Sequence, residues 1–128
     1  MISPGSSDPD VVYPDALRYY ESVLAKMGGY EQVAQSYRWF LSPGKDHNHR
    51  GRGAQMLFGA DRETLGMLSV LRAWREEGRA PEKLLAVRFD EREWWMDVSF
   101  IRELYPYSSE QNPRRPYPPS CAAVHTQK

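Results

Sequence analysis

Apolar side chains recur at helical spacing in three segments, and each spacing predicts an amphipathic helix. The first helix is predicted over residues 14–27, and Gly28 and Gly29 end it. The second is predicted over residues 30–41 and forms a helical hairpin with the first. The third is predicted over residues 62–77, with apolar residues around more than half of its circumference. A helix of that kind is usually central and contacted on two sides.

Farther along the chain, apolar residues alternate with polar ones, which is the spacing of half-buried strands. Two such runs, 84–89 and 94–100, flank a charged turn and predict an antiparallel β-hairpin. Its buried face would carry Leu85, Val87 and Phe89 on the first strand and Met96, Val98 and Phe100 on the second. If the turn is tight, Phe89 pairs with the first residue of the second run, Trp94.

A shorter apolar run, residues 54–58, predicts a strand before the third helix, and residues 101–104 predict a short closing turn of helix. The elements together predict an α+β fold in the order ααβαββ: a two-helix hairpin, a short strand, a central helix and an antiparallel β-hairpin. One compact domain would cover residues 11–106. Residues 1–10 are expected to be a flexible leader, and the proline-rich residues 107–128 a disordered tail.

Charge and cysteine content limit the function classes. Seventeen basic residues balance 17 acidic ones, whereas a general polyanion binder needs a strong basic excess. The single cysteine, Cys121, excludes a disulfide framework within one chain. No apolar run reaches the length of a membrane span, and residues 1–10 do not have the pattern of a signal peptide. A cytoplasmic setting without membrane contact is therefore expected.

The basic segment that follows the second helix is the first candidate site; it covers residues 45–53 and reads KDHNHRGRG. Lys45, Arg50 and Arg52, with the glycines beside them, could contact phosphate or nucleic acid. The order of glycines matches neither the P-loop nor the dinucleotide-binding fingerprint. An exposed loop without any ligand accounts for the same composition.

The same segment offers nitrogen and oxygen ligands in His47, His49 and Asp46. Two histidines on one loop need a third or fourth ligand from elsewhere, and no spacing in the sequence identifies one. No metal or other cofactor is therefore predicted.

Two tryptophans fall on faces that the hydrophobic pattern makes polar. Trp39, beside Arg38, would lie on the polar side of the second helix. Trp95 would face Arg88 on the outer face of the hairpin as a cation–π pair. Asp97 would share that face, either as an ion-pair partner or as a catalytic acid. Because Trp and Arg are enriched at binding hot spots, both surfaces are candidate contacts, unless other parts of the fold cover them.

No nucleophile elbow, zincin motif or Walker loop occurs. The leading hypothesis is therefore a small non-enzymatic interaction protein, such as an accessory or inhibitor protein of a mobile element. It would bind a protein partner, or itself, through the surfaces around Trp39 and Trp95. One alternative is nucleic-acid or phosphate contact through residues 45–52. The other is a small enzyme that uses the two loop histidines with Asp46, or uses Asp97, and a pocket away from these residues would argue against it.

Overall fold

The computed structural model describes residues 1, 3–48, 51–61, 64–90 and 97–107, and the backbone of residues 123–124. The predicted α+β fold and the element order ααβαββ are confirmed, and a short fourth strand is added at the edge of the sheet. No helix in the described part of the chain is long and apolar enough to cross a membrane. The elements are α1 (Tyr13–Lys26), α2 (Tyr30–Val33), β1 (Met56–Gly59), α3 (Met67–Glu77), β2 (Leu84–Asp90), β3 (Asp97–Leu104) and β4 (Ala123–Val124).

The four strands form one antiparallel sheet in the order β1-β2-β3-β4. β3 continues to Leu104, which pairs with Leu84, so the predicted helical turn over residues 101–104 is wrong. The predicted register is also wrong, because Phe89 pairs with Val98, after an irregularity that follows Arg88. Alternation predicts that two strands exist, but their register also depends on the geometry of the connection and on irregularities within the strands.

The first hydrophobic cluster lies between one face of this sheet and α3. Leu84 and Ala86 of β2 are 0% and 1% exposed. Of the predicted inner residues, Val87 is buried, Leu85, Phe89 and Phe100 are only half-buried, Val98 is 45% exposed, and Met96 lies outside the described residues. Both alternating sets in β2 begin with apolar residues, so the pattern alone does not decide which set faces the core. The cluster consists of Phe40, Ala54, Val70, Leu84, Ala86 and Leu104.

The helix predicted over residues 30–41 is wrong beyond Val33. After α2 the chain makes a turn over residues 34–36 and then runs extended toward Ser42. Successive side chains of an extended segment point to opposite sides, so Trp39 and Phe40 enter different cores. A second cluster forms beneath α1 around Trp39, and its buried members are Tyr20, Leu24, Val33, Trp39 and Leu41.

The third helix begins at Met67 rather than at residue 62, and it does not lie between two layers. Val70 and Ala73 are buried against the rest of the fold. Leu68, by contrast, is 81% exposed, and Leu71 is also exposed. The prediction of a central helix is therefore wrong, because a wide apolar surface on a helix does not show that all of it is buried within the chain.

Candidate active site

The site begins where two extended segments lie side by side and run in the same direction. Gly5 and Ser42 form a parallel β-bridge. The Ser42 N–H donates to the Pro4 carbonyl at 3.0 Å, and the Ser6 N–H donates to the Ser42 carbonyl at 3.1 Å. Because both segments end at the same edge, the turns that follow them lie next to each other. One turn carries Asp8, and the other belongs to the His47 loop, defined here as residues 43–48 and 51–53.

Two glycines allow backbones to approach closely here, Gly5 between the two segments and Gly53 within the His47 loop. A Cβ atom on Gly5 would lie 2.0 Å from the Lys45 carbonyl oxygen, and a Cβ on Gly53 would lie 2.2 Å from the Gly44 carbonyl carbon. Both obstacles are backbone atoms, which cannot move aside as a flexible side chain can. The Ser6 hydroxyl also accepts a hydrogen bond from the Gly44 N–H at 2.8 Å.

Asp8 is held in one orientation by its own turn. Its Oδ1 atom accepts hydrogen bonds from the backbone N–H groups of Asp10 and Val11, each at 2.9 Å. The side chain is only 10% exposed. The Val11 N–H, followed by the Asp10 N–H and His47, stabilises the charged form, and these contacts lower the pKa of the Asp8 carboxyl although partial burial opposes them.

The second oxygen of Asp8 faces His47 on the neighbouring loop. Asp8 Oδ2 lies 3.1 Å from His47 Nδ1, across 39 positions of sequence. An ionised carboxylate only accepts hydrogen bonds, so the ring proton of neutral His47 belongs on Nδ1. This leaves the lone pair on Nε2, and the His47 side chain is 49% exposed. The arrangement is that of an oriented general base: a carboxylate fixes the ring, and the opposite nitrogen can accept a proton.

The same residues could also be considered as a cation site, because ligand atoms of Asp8, Asp10 and His47 lie within 4.8 Å of one another. Both oxygens of Asp8 already have partners, however: Oδ1 two backbone N–H groups and Oδ2 the histidine ring. A cation coordinated by His47 Nδ1 would have to replace the hydrogen bond by which Asp8 Oδ2 orients the ring. The geometry therefore favours an Asp–His pair over a metal centre.

Arg88 was expected to stack on Trp95, which lies outside the described residues. Its guanidinium instead reaches the His47 loop, where Nη1 donates to the Gly51 and Gly53 carbonyls at 2.5 and 2.9 Å. The structure therefore brings together two candidate regions that the sequence treated separately, the basic loop and the Arg88 position of β2.

The other two residues of the aromatic–arginine hypothesis have structural roles. Arg38 donates to the Ala34 carbonyl at 2.9 Å and to the Pro81 carbonyl at 2.8 Å, and it lies over the Trp74 ring. Trp39 is 1% exposed and contacts Tyr107 edge to face at 5.7 Å between ring centroids. The prediction that Trp39 lies on a polar helix face assumed a helix that does not form at this position. The Trp39 side chain presents almost no surface to a partner.

The remaining candidates are dispersed. Lys45 is half-buried, and its carbonyl accepts a hydrogen bond from the Ser7 N–H at 3.1 Å. Arg52 and Asp97 are exposed, and Asp97 pairs across the sheet with Asp90. Asp46 is half-buried beside His47. His49 and Arg50 lie outside the described residues. Contact with nucleic acid through this loop stays a prediction.

Two grooves lined by described residues lie away from the Asp8–His47 pair. One of about 590 Å³ lies beside Arg38, Asp61 and Lys83, and another of about 360 Å³ lies beside Leu71 and Trp74. We give more weight to the hydrogen-bonded pair, because a groove without oriented acid–base groups offers binding space but no proton transfer.

Sequence reasoning named His47 but missed Asp8. Asp8 lies within the residues predicted to be a flexible leader, where no periodic pattern indicates a fold. The signal available was local: an aspartate before a proline, at the start of a turn that leads into α1, is typical of turn initiation. That signal predicts the turn but does not indicate a partner 39 residues away.

Comparison with known proteins identifies relatives for most of the chain. A family model described as "Tannase and feruloyl esterase" matches residues 1–120. An uncharacterized esterase of Xanthomonas campestris is 32% identical over 105 residues, which cover 66% of this chain and 18% of that protein. A probable feruloyl esterase of Arthroderma benhamiae is 34% identical over 82 residues, which cover 63% of this chain and 14% of that protein.

Two crystal structures from Aspergillus oryzae share the fold. An esterase superposes with a TM-score of 0.68 at 24% identity, and feruloyl esterase B superposes with a TM-score of 0.60 at 19% identity. Each match covers 82% of this chain and 22% of the larger protein. The chain thus spans less than a quarter of the length of these relatives.

These matches correct the functional prediction. The hypothesis of a small non-enzymatic, protein-binding accessory or inhibitor protein is wrong, because the family and the relatives are esterases. The described residues carry an Asp–His pair rather than a complete catalytic motif. An Asp–His pair joined across two segments has no fixed spacing that a sequence motif could describe.

Proposed function

Because the chain belongs to the tannase and feruloyl esterase family, we propose that it supplies the acid–base part of an ester hydrolase active site. His47 is the general base, and Asp8 orients it and stabilises its charged form. The nucleophile is proposed to come from a part of the whole protein beyond these 128 residues. In α/β-hydrolases the nucleophile precedes the acid and the histidine along the chain, and here Asp8 precedes His47.

The observation that carries the proposal is the contact between Asp8 Oδ2 and His47 Nδ1. It sets the tautomer, and the half-exposed ring keeps Nε2 accessible to a reacting group. Within the described part of the chain, no serine, threonine or cysteine side chain hydrogen bonds to His47. This agrees with a nucleophile that comes from elsewhere.

In the proposed reaction, His47 Nε2 accepts the proton of the nucleophile's hydroxyl as its oxygen attacks the ester carbonyl carbon. The imidazolium then donates that proton to the departing alcohol oxygen as the C–O bond breaks. Water takes the nucleophile's place in the second half-reaction, which releases the carboxylic acid and restores the hydroxyl. Asp8 stays ionised throughout and stabilises the imidazolium at each stage. Feruloyl and related phenolic esters are the proposed substrate class, as the names of the relatives suggest.

The test uses a chimaera in which residues 1–107 of this chain replace the matching segment of the Xanthomonas esterase. Hydrolysis of a feruloyl ester and of an activated acetyl ester is measured for the chimaera and for H47Q and D8N. Each substitution is expected to lower kcat by about 10⁴-fold, because it removes the base or permits the wrong tautomer. D10N is the matched control, since the Asp10 carboxylate lies within 4.8 Å of the pair, but the hydrogen bond from Asp10 to Asp8 comes from its backbone N–H, which the substitution keeps.

The 128-residue chain provides a second measurement that does not depend on the chimaera. The His47 Nδ1–H proton should give a downfield NMR signal that disappears in D8N and persists in D10N. A chimaera that retains full activity with H47Q would contradict the proposal. Equal losses in D8N and D10N, reversed by added divalent cation, would indicate a metal site instead.

A further inference from the structure

The contact between Arg88 and the His47 loop links the sheet to the proposed general base. Arg88 lies at the position of β2 where the pairing with β3 becomes irregular. Its Nη1 atom carries two hydrogens, and the two carbonyls that it contacts, those of Gly51 and Gly53, lie on one side of the loop. A single guanidinium nitrogen therefore joins the sheet to residues 51–53, the part of the His47 loop that follows His47.

Residues 51–53 in turn contact residues 44–46, which precede His47. The Gly53 N–H donates to the Gly44 carbonyl at 2.8 Å. A Cβ atom on Gly51 would lie 2.6 Å from the Gly44 carbonyl oxygen and 3.2 Å from the Asp46 nitrogen, so these backbones are in direct contact. The position of Gly51 and Gly53 thereby determines the position of Gly44 and Asp46, one residue before His47.

We propose that Arg88 is a positioning residue for His47, because it holds the His47 loop at the distance at which the ring meets Asp8. This inference rests on the proposed function for its catalytic consequence. Arg88 makes no contact with the His47 ring among the described residues. It acts through the loop backbone, and the sheet provides the fixed point. The Ser6 and Ser7 contacts hold the opposite side of the loop, so Arg88 completes a clamp with two sides.

Arginine suits this role better than lysine. A planar guanidinium presents hydrogens in fixed directions and holds two carbonyls together, whereas an ammonium on a flexible stem is a single rotating group. Carbonyl oxygens clustered at a loop also favour a cation that stays charged at any working pH. A conservative Arg-to-Lys change is therefore expected to restore the clamp only in part.

The first experiment compares R88M, R88K and R88A in the chimaera. R88M is expected to lower kcat about 10-fold with little change in KM, because a small displacement of a catalytic group slows chemistry more than it weakens binding. R88K should fall between R88M and wild type. The matched control is R102M: Arg102 is another strand arginine, and its guanidinium lies over the Phe100 ring, 4.6 Å from the centroid.

The second experiment is chemical rescue. Guanidinium chloride, added to R88A at a concentration well below the unfolding range, should restore much of the lost kcat, whereas sodium chloride at the same ionic strength should not. The same additions to the 128-residue chain are followed through the NMR signal of the His47 Nδ1–H proton. That signal should weaken in R88A and return with guanidinium.

The outcomes separate this inference from the proposed function. If kcat and the His47 signal are unchanged in both R88M and R88A, the clamp is refuted while the role of His47 stands. A loss in R88A that guanidinium does not rescue, matched by an equal loss in R102M, would show a general structural effect and also refute it. If H47Q proves fully active, the proposed function fails, and the His47 signal alone then decides whether Arg88 positions the ring.

Discussion

The sheet and the His47 loop show two ways of holding one chain together. The strands β2 and β3 share a ladder from the Leu84–Leu104 pair to the Asp90–Asp97 pair, with one irregularity after Arg88, and a hydrophobic cluster covers one face. The loop and the N-terminal segment share one parallel bridge and a few contacts between backbones that glycines bring close together. The sheet is stabilised by strand pairing and hydrophobic packing, whereas the site depends on the close approach of backbone segments.

Because of this difference, substitutions in the sheet and in the loop should have different effects. Removing a core side chain from the sheet costs stability, but the surrounding ladder keeps the strands in register. Adding one carbon atom in the loop region costs little hydrophobic contact, but it pushes apart the two turns that carry Asp8 and His47. We therefore expect stability and site geometry to respond independently to substitutions in the two regions.

The largest effect on stability is expected in the sheet. Leu104 is 2% exposed, and L104A should lower the free energy of unfolding by about 2–5 kcal/mol, through lost burial and a residual cavity. The His47 Nδ1–H signal should remain at temperatures where the variant is folded. Chemical denaturation and NMR measure the two quantities. V98A is the control, because Val98 lies on the same strand and is 45% exposed, so its change should be much smaller.

The second prediction concerns a substitution that should disturb the site rather than the sheet. G5A would place a Cβ atom 2.0 Å from the Lys45 carbonyl oxygen, so the parallel segments must separate. Hydrolysis by the chimaera should fall by about 10²-fold, since a displacement near 1 Å is enough for such a loss. The His47 signal should weaken in parallel.

The control for this prediction is another glycine. On Gly66 a Cβ would find only the Ser69 hydroxyl, at 3.9 Å, and the φ angle of −79° suits any residue. G66A should therefore leave both the signal and the rate unchanged. A normal His47 signal in G5A would show that close approach at this bridge does not position the site.

The smallest effect is expected at alkaline pH, in the second hydrophobic cluster. Burial raises the pKa of Tyr20 and of Tyr107 to about 12, and for Tyr107 the hydrogen bond to Glu21 adds to the shift. A pKa that is higher in the folded state than in the unfolded state gives stability that is complete below about pH 10 and is lost as pH rises toward 12.

Replacing Tyr20 with phenylalanine should accordingly flatten the fall in stability between pH 10 and 12. Tyrosinate absorbance and the denaturation midpoint, followed together across that range, test this. Y19F is the control, because Tyr19 is 65% exposed and its replacement should change the alkaline profile much less than Y20F does. Identical profiles for wild type and Y20F would mean that Tyr20 ionisation does not drive the loss.

Where local pattern and tertiary environment agree, the sequence predicts the fold well. The first helix, expected over residues 14–27, is observed at Tyr13–Lys26, and it ends before Gly28 and Gly29 as predicted. The segment around Trp39 shows the opposite case. Its apolar spacing fits a helix, but burial on two sides favours an extended chain that sends Trp39 and Phe40 into separate clusters.

The candidate site could be predicted only in part. The composition of the His47 loop marked it as a place for chemistry, and His47 itself was named there. Its partner was not, because the choice among Asp8, Asp46 and Asp97 depends on which backbones lie side by side. The three grooves beside Arg38, Trp74 and Tyr30 do not mark the site either, because none of them is lined by Asp8 or His47.

The sequence by itself determined the order of helices and strands, because hydrophobic periodicity and helix-ending glycines act over a few neighbouring residues. It also supplied the histidine, the aspartate and the glycines that the site needs. Only the tertiary structure decided that Asp8 contacts His47 and that Arg88 hydrogen bonds to the His47 loop. Those contacts join positions 35 to 39 residues apart, and hydrogen bonds across such separations form only after packing has brought the two backbones together.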